Sequence, residues 1–95
     1  MAQQGMNVDQ VQNDGNQMKS VGTDGIPHVI SQIDGIVSSL AGNWHGPDSE
    51  QFVNDWNNTH KPNLTTIAQQ VAQQGTTALQ NVEAQRQTSA AGSTA

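Results

Sequence analysis

Between Ile26 and Trp44 the large apolar positions are Ile26, Ile30, Ile33, Val37, Leu40 and Trp44, separated by four, three, four, three and four residues. A helix turns once in about 3.6 residues, so this alternation keeps all six on one stripe. Met18, Val11 and Val8 extend the stripe toward the N-terminus, but Gly15 and Gly22 stand where large side chains would be expected. The early turns are therefore predicted to pack weakly and to fray. Thr23-Asp24-Gly25 before Pro27 reads in one of two ways. Either a helix starts there, with Asp24 as its cap and Pro27 in its first turn, or one long helix is kinked at Pro27.

Ala41-Gly42-Asn43-Trp44-His45-Gly46-Pro47 interrupts the pattern and leads into Asp48-Ser49-Glu50-Gln51. This predicts a tight turn with Gly46 in the left-handed region, then a second helix. Asp48 would cap it, Gln51 would complete an approximate capping box, and Glu50 would favour the positive end of the helix dipole. Val53, Trp56, His60, Leu64, Ile67, Val71, Ala78 and Val82 then recur at spacings of three, four or seven, with Phe52 and Leu79 alongside. Pro62 would cost an unbent helix about 3 kcal/mol, so a bend is expected near His60. Counted from His45, Pro27 lies eighteen residues before and Pro62 seventeen after, so both helices are expected to bend at one height. The expected fold is all-α, an antiparallel helical hairpin. Helix one is predicted at about 7–41, the turn at about 42–48 and helix two at about 49–87, in a single domain 1–88 with a flexible tail at 89–95.

Composition changes what the hairpin must do. Only 33% of the 95 residues are hydrophobic and 3% aromatic, too little for a large self-contained core. Small domains already bury a modest share of their surface, so the missing apolar contact is expected from another chain. Two hairpins pairing into a four-helix bundle would supply it, with Ile30, Ile33, Val37, Trp56, Leu64, Ile67 and Val71 along the dimer seam. The formal charge of −5 disfavours phosphate backbones and anionic lipid, so no nucleic-acid partner is expected. No run approaches the roughly 20 apolar residues of a membrane span, and the N-terminus lacks a basic, apolar leader. Export, if it occurs, is expected without a cleaved signal peptide.

Candidate chemistry is sparse. There is no cysteine, which removes disulfides, thiolate metal sites and cysteine nucleophiles. His28 and His60 fall at matching heights but lack the carboxylate or cysteine that would make a zinc set, and His45 with Asp48 has no third ligand. No nucleophile elbow, phosphate-binding glycine loop or paired carboxylates stand out. No metal, cofactor, small-molecule substrate or catalytic residue is expected, and the chain is not expected to be an enzyme.

Trp44-His45-Gly46 has an ordinary explanation, in which Trp44 closes the stripe and Gly46 turns the chain. It also sits at the midpoint of a chain of about one hundred residues with two amphipathic helices, followed by Asp48, by Phe52 six residues after the glycine, and by Trp56. In this the sequence, from about Val8 to Arg86, resembles the WXG family of early-secreted-antigen-like type VII secretion substrates. The resemblance implies hairpins that pair as homodimers or heterodimers and leave the bacterial cytoplasm through a membrane-bound secretion ATPase. It also implies that Trp44 and Gly46 form part of a composite export signal. The other half of that signal is a tyrosine followed four residues later by an acid, and this chain has no tyrosine. Leu79 and Glu83 stand nearest by position and would make a degenerate signal. Otherwise the chain is a passenger carried by a partner that supplies the tyrosine. A further alternative is an adaptor or chaperone hairpin that stays inside the cell, paired with a helical domain of a larger effector.

Overall fold

Two long helices joined by the three residues Trp44, His45 and Gly46 make an antiparallel hairpin 72 Å long and 17 × 16 Å across. Helix one consists of α1 (Val8–Ser20) and α2 (Ile26–Asn43), continuous through a single π turn at Val21–Gly25. Helix two consists of α3 (Pro47–Asp55) and α4 (Lys61–Thr94), continuous through a second π turn at Trp56–His60. The structure is a computed structural model that describes residues 5–94, with side chains through 88; no strand occurs among the described residues. The all-α hairpin is the fold that the three-and-four alternation predicts.

Both π turns stand just ahead of a proline, and the proline explains them. Pro27 and Pro62 have no N–H to donate, and each ring would collide with the carbonyl four residues earlier in a regular helix. A wider turn moves that carbonyl away. The N–H of Ile26 accordingly donates to the Val21 carbonyl, and that of Lys61 to the Trp56 carbonyl, each five residues back. Helix one is thus continuous at Pro27, and Asp24 lies inside the π turn rather than capping a new helix.

Each π turn also absorbs one residue of phase. In helix one the buried line runs Gly15, Gly22, Ile30, Val37, at steps of seven, eight and seven. In helix two it runs Ser49, Trp56, Ala68, Gly75, Val82, at steps of seven, twelve, seven and seven. Steps of seven or eleven stay on one face of a helix. The steps of eight and twelve cross the π turns, where the extra residue is taken up and the line stays straight.

The glycines expected to weaken the early turns do the opposite. A Cβ added to Gly22 would lie 2.7 Å from Ala72 Cα, and one added to Gly75 would lie 2.7 Å from the Gly15 carbonyl oxygen. No side chain fits there, because the two backbones themselves are in contact. Gly15, Gly22 and Gly75 are all buried, and Leu79 packs over Gly15. Toward the turn the space between the helices is filled by larger groups. Ile30, Val37 and Trp56 form the buried core there, with Ile26, Ile33, Val53 and Leu64 packed against it.

The helix ends differ from expectation in two places. Asn7 caps α1, its Oδ1 accepting the Gln10 N–H at 3.2 Å. At α3, however, the N-cap is Gly46 and Pro47 begins the helix, so Asp48 falls within the first turn and makes no side-chain cap bond. Gln51 donates forward to Asp55 at 2.7 Å instead of closing a capping box. Helix two also continues to Thr94, past the flexible tail expected from 89, while 95 lies outside the described residues. Ala84, Ala90 and Ala91 favour helix strongly, and backbone bonding along a helix needs no tertiary contact.

Candidate functional site

The hairpin leaves seven large apolar residues exposed among those described: Met18, Val21, Val29, Ile36, Phe52, Ile67 and Trp44. Their positions are not scattered. Val21, Val29, Ile36 and Ile67 each immediately precede a residue of the buried line, namely Gly22, Ile30, Val37 and Ala68. One residue back is about 100° round the helix in one fixed sense. Met18 and Phe52 lie four residues before Gly22 and Trp56, which is a smaller rotation in the same sense, about 40°. Because the helices run antiparallel, a rotation of one sense on each carries both to the same side of the hairpin. Six exposed apolar side chains therefore share a single face, with half-buried Ile33 and Leu40 on helix one and Leu64 and Val71 on helix two leading down into the core.

Rotation in the opposite sense leads to the other face, where the structure confirms the geometry. Pro27, Ser31 and Asp34 of helix one and Thr65, Gln69 and Ala72 of helix two line one groove of about 550 Å³. Lys61 Nζ reaches across this face to Asp34 Oδ2 at 2.7 Å, and the Trp56 indole N–H donates to Asp34 Oδ1 at 2.7 Å. Lys61, and after it Trp56, hold the Asp34 carboxyl below its ordinary pKa. Near the open end Arg86 donates to Gln12 Oε1 at 2.7 Å and to Asp9 Oδ1 at 3.2 Å, again on this side. One face is thus polar and cross-linked, and the other apolar.

At the turn Gly46 adopts φ 128° and ψ 176°, not the left-handed helical values expected of it. That region is open essentially to glycine alone. Trp44 is extended and 40% exposed, and its ring lies 5.8 Å from that of Phe52, tilted by 59°. The motif thus presents a partly open aromatic pair at one tip of the rod, and Phe52 joins that tip to the apolar face.

The seam residues inferred from the stripe divide between two roles. Ile30, Val37 and Trp56 are only 6–7% exposed and belong to the contact between the chain's own helices, so they are not on a surface. Ile33, Leu64 and Val71 are half-buried beside it, and Ile67 is exposed. Val21, Val29, Ile36 and Phe52 lie outside that seam and are exposed. The doubled apolar pairs Val29-Ile30 and Ile36-Val37 mark an arc wide enough for two contacts, and that signal was present in the sequence. Leu79 turns inward against Gly15, whereas Glu83 is exposed and accepts from Gln87 at 3.4 Å.

His28, His45 and His60 are exposed and well separated along the chain, and no group of three or more potential metal ligands occurs among the described residues. No helix among them is long and apolar enough to cross a membrane. Compared with known proteins, the chain matches no family model, no curated relative and no solved structure.

Proposed function

We propose that this chain is a non-enzymatic pairing protein that buries its apolar face against another helical hairpin, and that the pair is a type VII secretion substrate. The single observation that carries the pairing is the gathering of Met18, Val21, Val29, Ile36, Phe52 and Ile67 on one face of a rod whose other face is polar. Scattered apolar residues are ordinary on a protein surface, but a contiguous patch marks an interaction site. Two flat hairpin faces of this kind stack as a four-helix bundle with shallow crossing angles.

The secretion part rests on the resemblance around Trp44 and Gly46, whose exposed aromatic tip is available to a membrane-bound ATPase. The missing tyrosine favours a passenger role, or the second reading of an adaptor that remains in the cell. Leu79, being packed on Gly15, is poorly displayed as one half of a C-terminal signal.

The test is expression in a bacterium that has the secretion system, with and without its ATPase, of the wild type, Trp44→Ala and Ile36→Asp. ATPase-dependent appearance in the culture supernatant, lost in both variants while circular dichroism shows them helical, is the expected result. Retention of the wild type even beside a co-expressed hairpin partner that carries the tyrosine signal would favour the adaptor, and secretion of helical Ile36→Asp would remove the face from the mechanism.

A further inference from the structure

The charges around the apolar face identify the kind of partner it fits. Asp48 and Asp55 immediately precede the buried Ser49 and Trp56, and Asp14 immediately precedes the buried Gly15. By the same rotation of about 100° that places Val29 and Ile36, all three carboxylates stand on the apolar side. Asp48 and Asp55 are near the turn and Asp14 is near the open end. Asp14 and Asp55 accept from Gln10 and Gln51 of their own helices, at 3.0 and 2.7 Å, and no cation among the described residues is paired with them.

The chain's three cationic side chains are elsewhere. Lys61 is committed to Asp34 on the groove side, and Arg86 to Asp9 and Gln12 on that side. Lys19, four residues after the buried Gly15, is rotated away from the apolar face toward the groove side. The apolar face is thus flanked by acids at both ends and by no lysine or arginine.

A second copy is a poor occupant of such a face. In a parallel pairing Asp48 and Asp55 would meet their own counterparts. In an antiparallel pairing they would approach the end that carries Asp14. Neither arrangement brings a cation to a carboxylate, and juxtaposed like charges disfavour a partner. We infer that the face takes a different hairpin chain, one whose apolar stripe is flanked at both ends by lysine or arginine. This inference rests on the pairing reading above and specifies its partner.

The experiment uses a charge-reversed copy of this chain as the probe. Asp14→Lys, Asp48→Lys and Asp55→Lys are combined in one variant, and association with the full wild-type chain is measured by analytical ultracentrifugation at pH 8, above the range where imidazole carries charge. A control variant combines Asp24→Lys, Glu50→Lys and Glu83→Lys, which changes the net charge equally but away from the apolar side. The expected result is mixed pairing at least tenfold tighter than wild-type self-association, narrowing in 1 M salt, with no such gain for the control. A second variant, Asp14→Asn/Asp48→Asn/Asp55→Asn, should self-associate more tightly than wild type and covers the case in which the lysine variant does not fold. Tight wild-type self-association that neither variant strengthens would overturn the choice of partner and leave pairing intact. Failure of every folded combination to associate, in low or high salt, would overturn the pairing reading itself.

Discussion

The Trp56 indole nitrogen donates to Asp34 Oδ1 at 2.7 Å, a bond between side chains 22 residues apart that ties the first residue of one π turn to the middle of α2. Lys61, the residue that follows the same π turn, closes on the other oxygen of Asp34 at 2.7 Å. One carboxylate thus holds both ends of the turn against helix one.

That tie should depend on pH in a defined direction. Asp34 has a depressed pKa in the folded chain, so its charged form contributes stability above the unfolded carboxylate value of about 4, and the contribution is lost as pH falls through the lower folded value. Asp34→Asn should therefore melt below wild type near pH 7, and the gap should close as both are acidified below about pH 4. Melting curves by circular dichroism from pH 7 to 2.5 check this; a gap of constant size throughout would exclude the charge as its source.

Gly22→Ala and Gly35→Ala should act in opposite directions. The first forces a methyl group into the backbone of Ala68 and Ala72, and should cost about 3 kcal/mol, the upper end of overpacking. The second meets nothing within 4 Å in a helix interior and should stabilise by about 0.5–1 kcal/mol. Urea unfolding of the two variants decides, and equal effects would contradict the close approach at Gly22.

Gly46→Ala should destabilise by about 1–3 kcal/mol, because its φ of 128° is strained for any residue with a Cβ. Trp44→Ala should cost a similar or smaller amount. A double-mutant cycle with Phe52→Ala should show coupling of about 0.5–1.5 kcal/mol from the aromatic pair. Strict additivity would mean that the two rings do not support each other in solution.

The π turn of helix one should be removable as a unit. Deleting Asp24 together with Pro27→Ala shortens the step from Gly22 to Ile30 from eight residues to seven, restoring a regular α-helical phase. The doubly altered chain should keep its helicity and cooperative unfolding. Deleting Asp24 alone restores the phase but leaves the proline ring against a carbonyl, and should be less stable by about 3 kcal/mol. Thermal melts of the pair separate the two contributions.

The hairpin is legible in the spacing of residues alone. The three-and-four spacing from Ile26 to Trp44 and again from Val53 to Val82 is a local property of helical geometry, as is the break at Gly46-Pro47, where only glycine tolerates the backbone. The prolines likewise marked where each helix would be disturbed. Tertiary structure decided how the apolar arc is divided. Periodicity gives the centre and width of a stripe but not which edge meets the neighbouring helix, so Ile30, Val37 and Trp56 went inside while Val29, Ile36 and Phe52 were left outside. It also reversed the meaning of Gly15 and Gly22, because a missing side chain weakens packing unless another backbone moves into the space, and Gly75, Ala68 and Ala72 lie across the hairpin, far away in sequence. The phase slip that the π turns absorb has the same origin. It becomes visible only when burial on both sides of each proline is known, since the line that must stay straight is defined by the helix it faces.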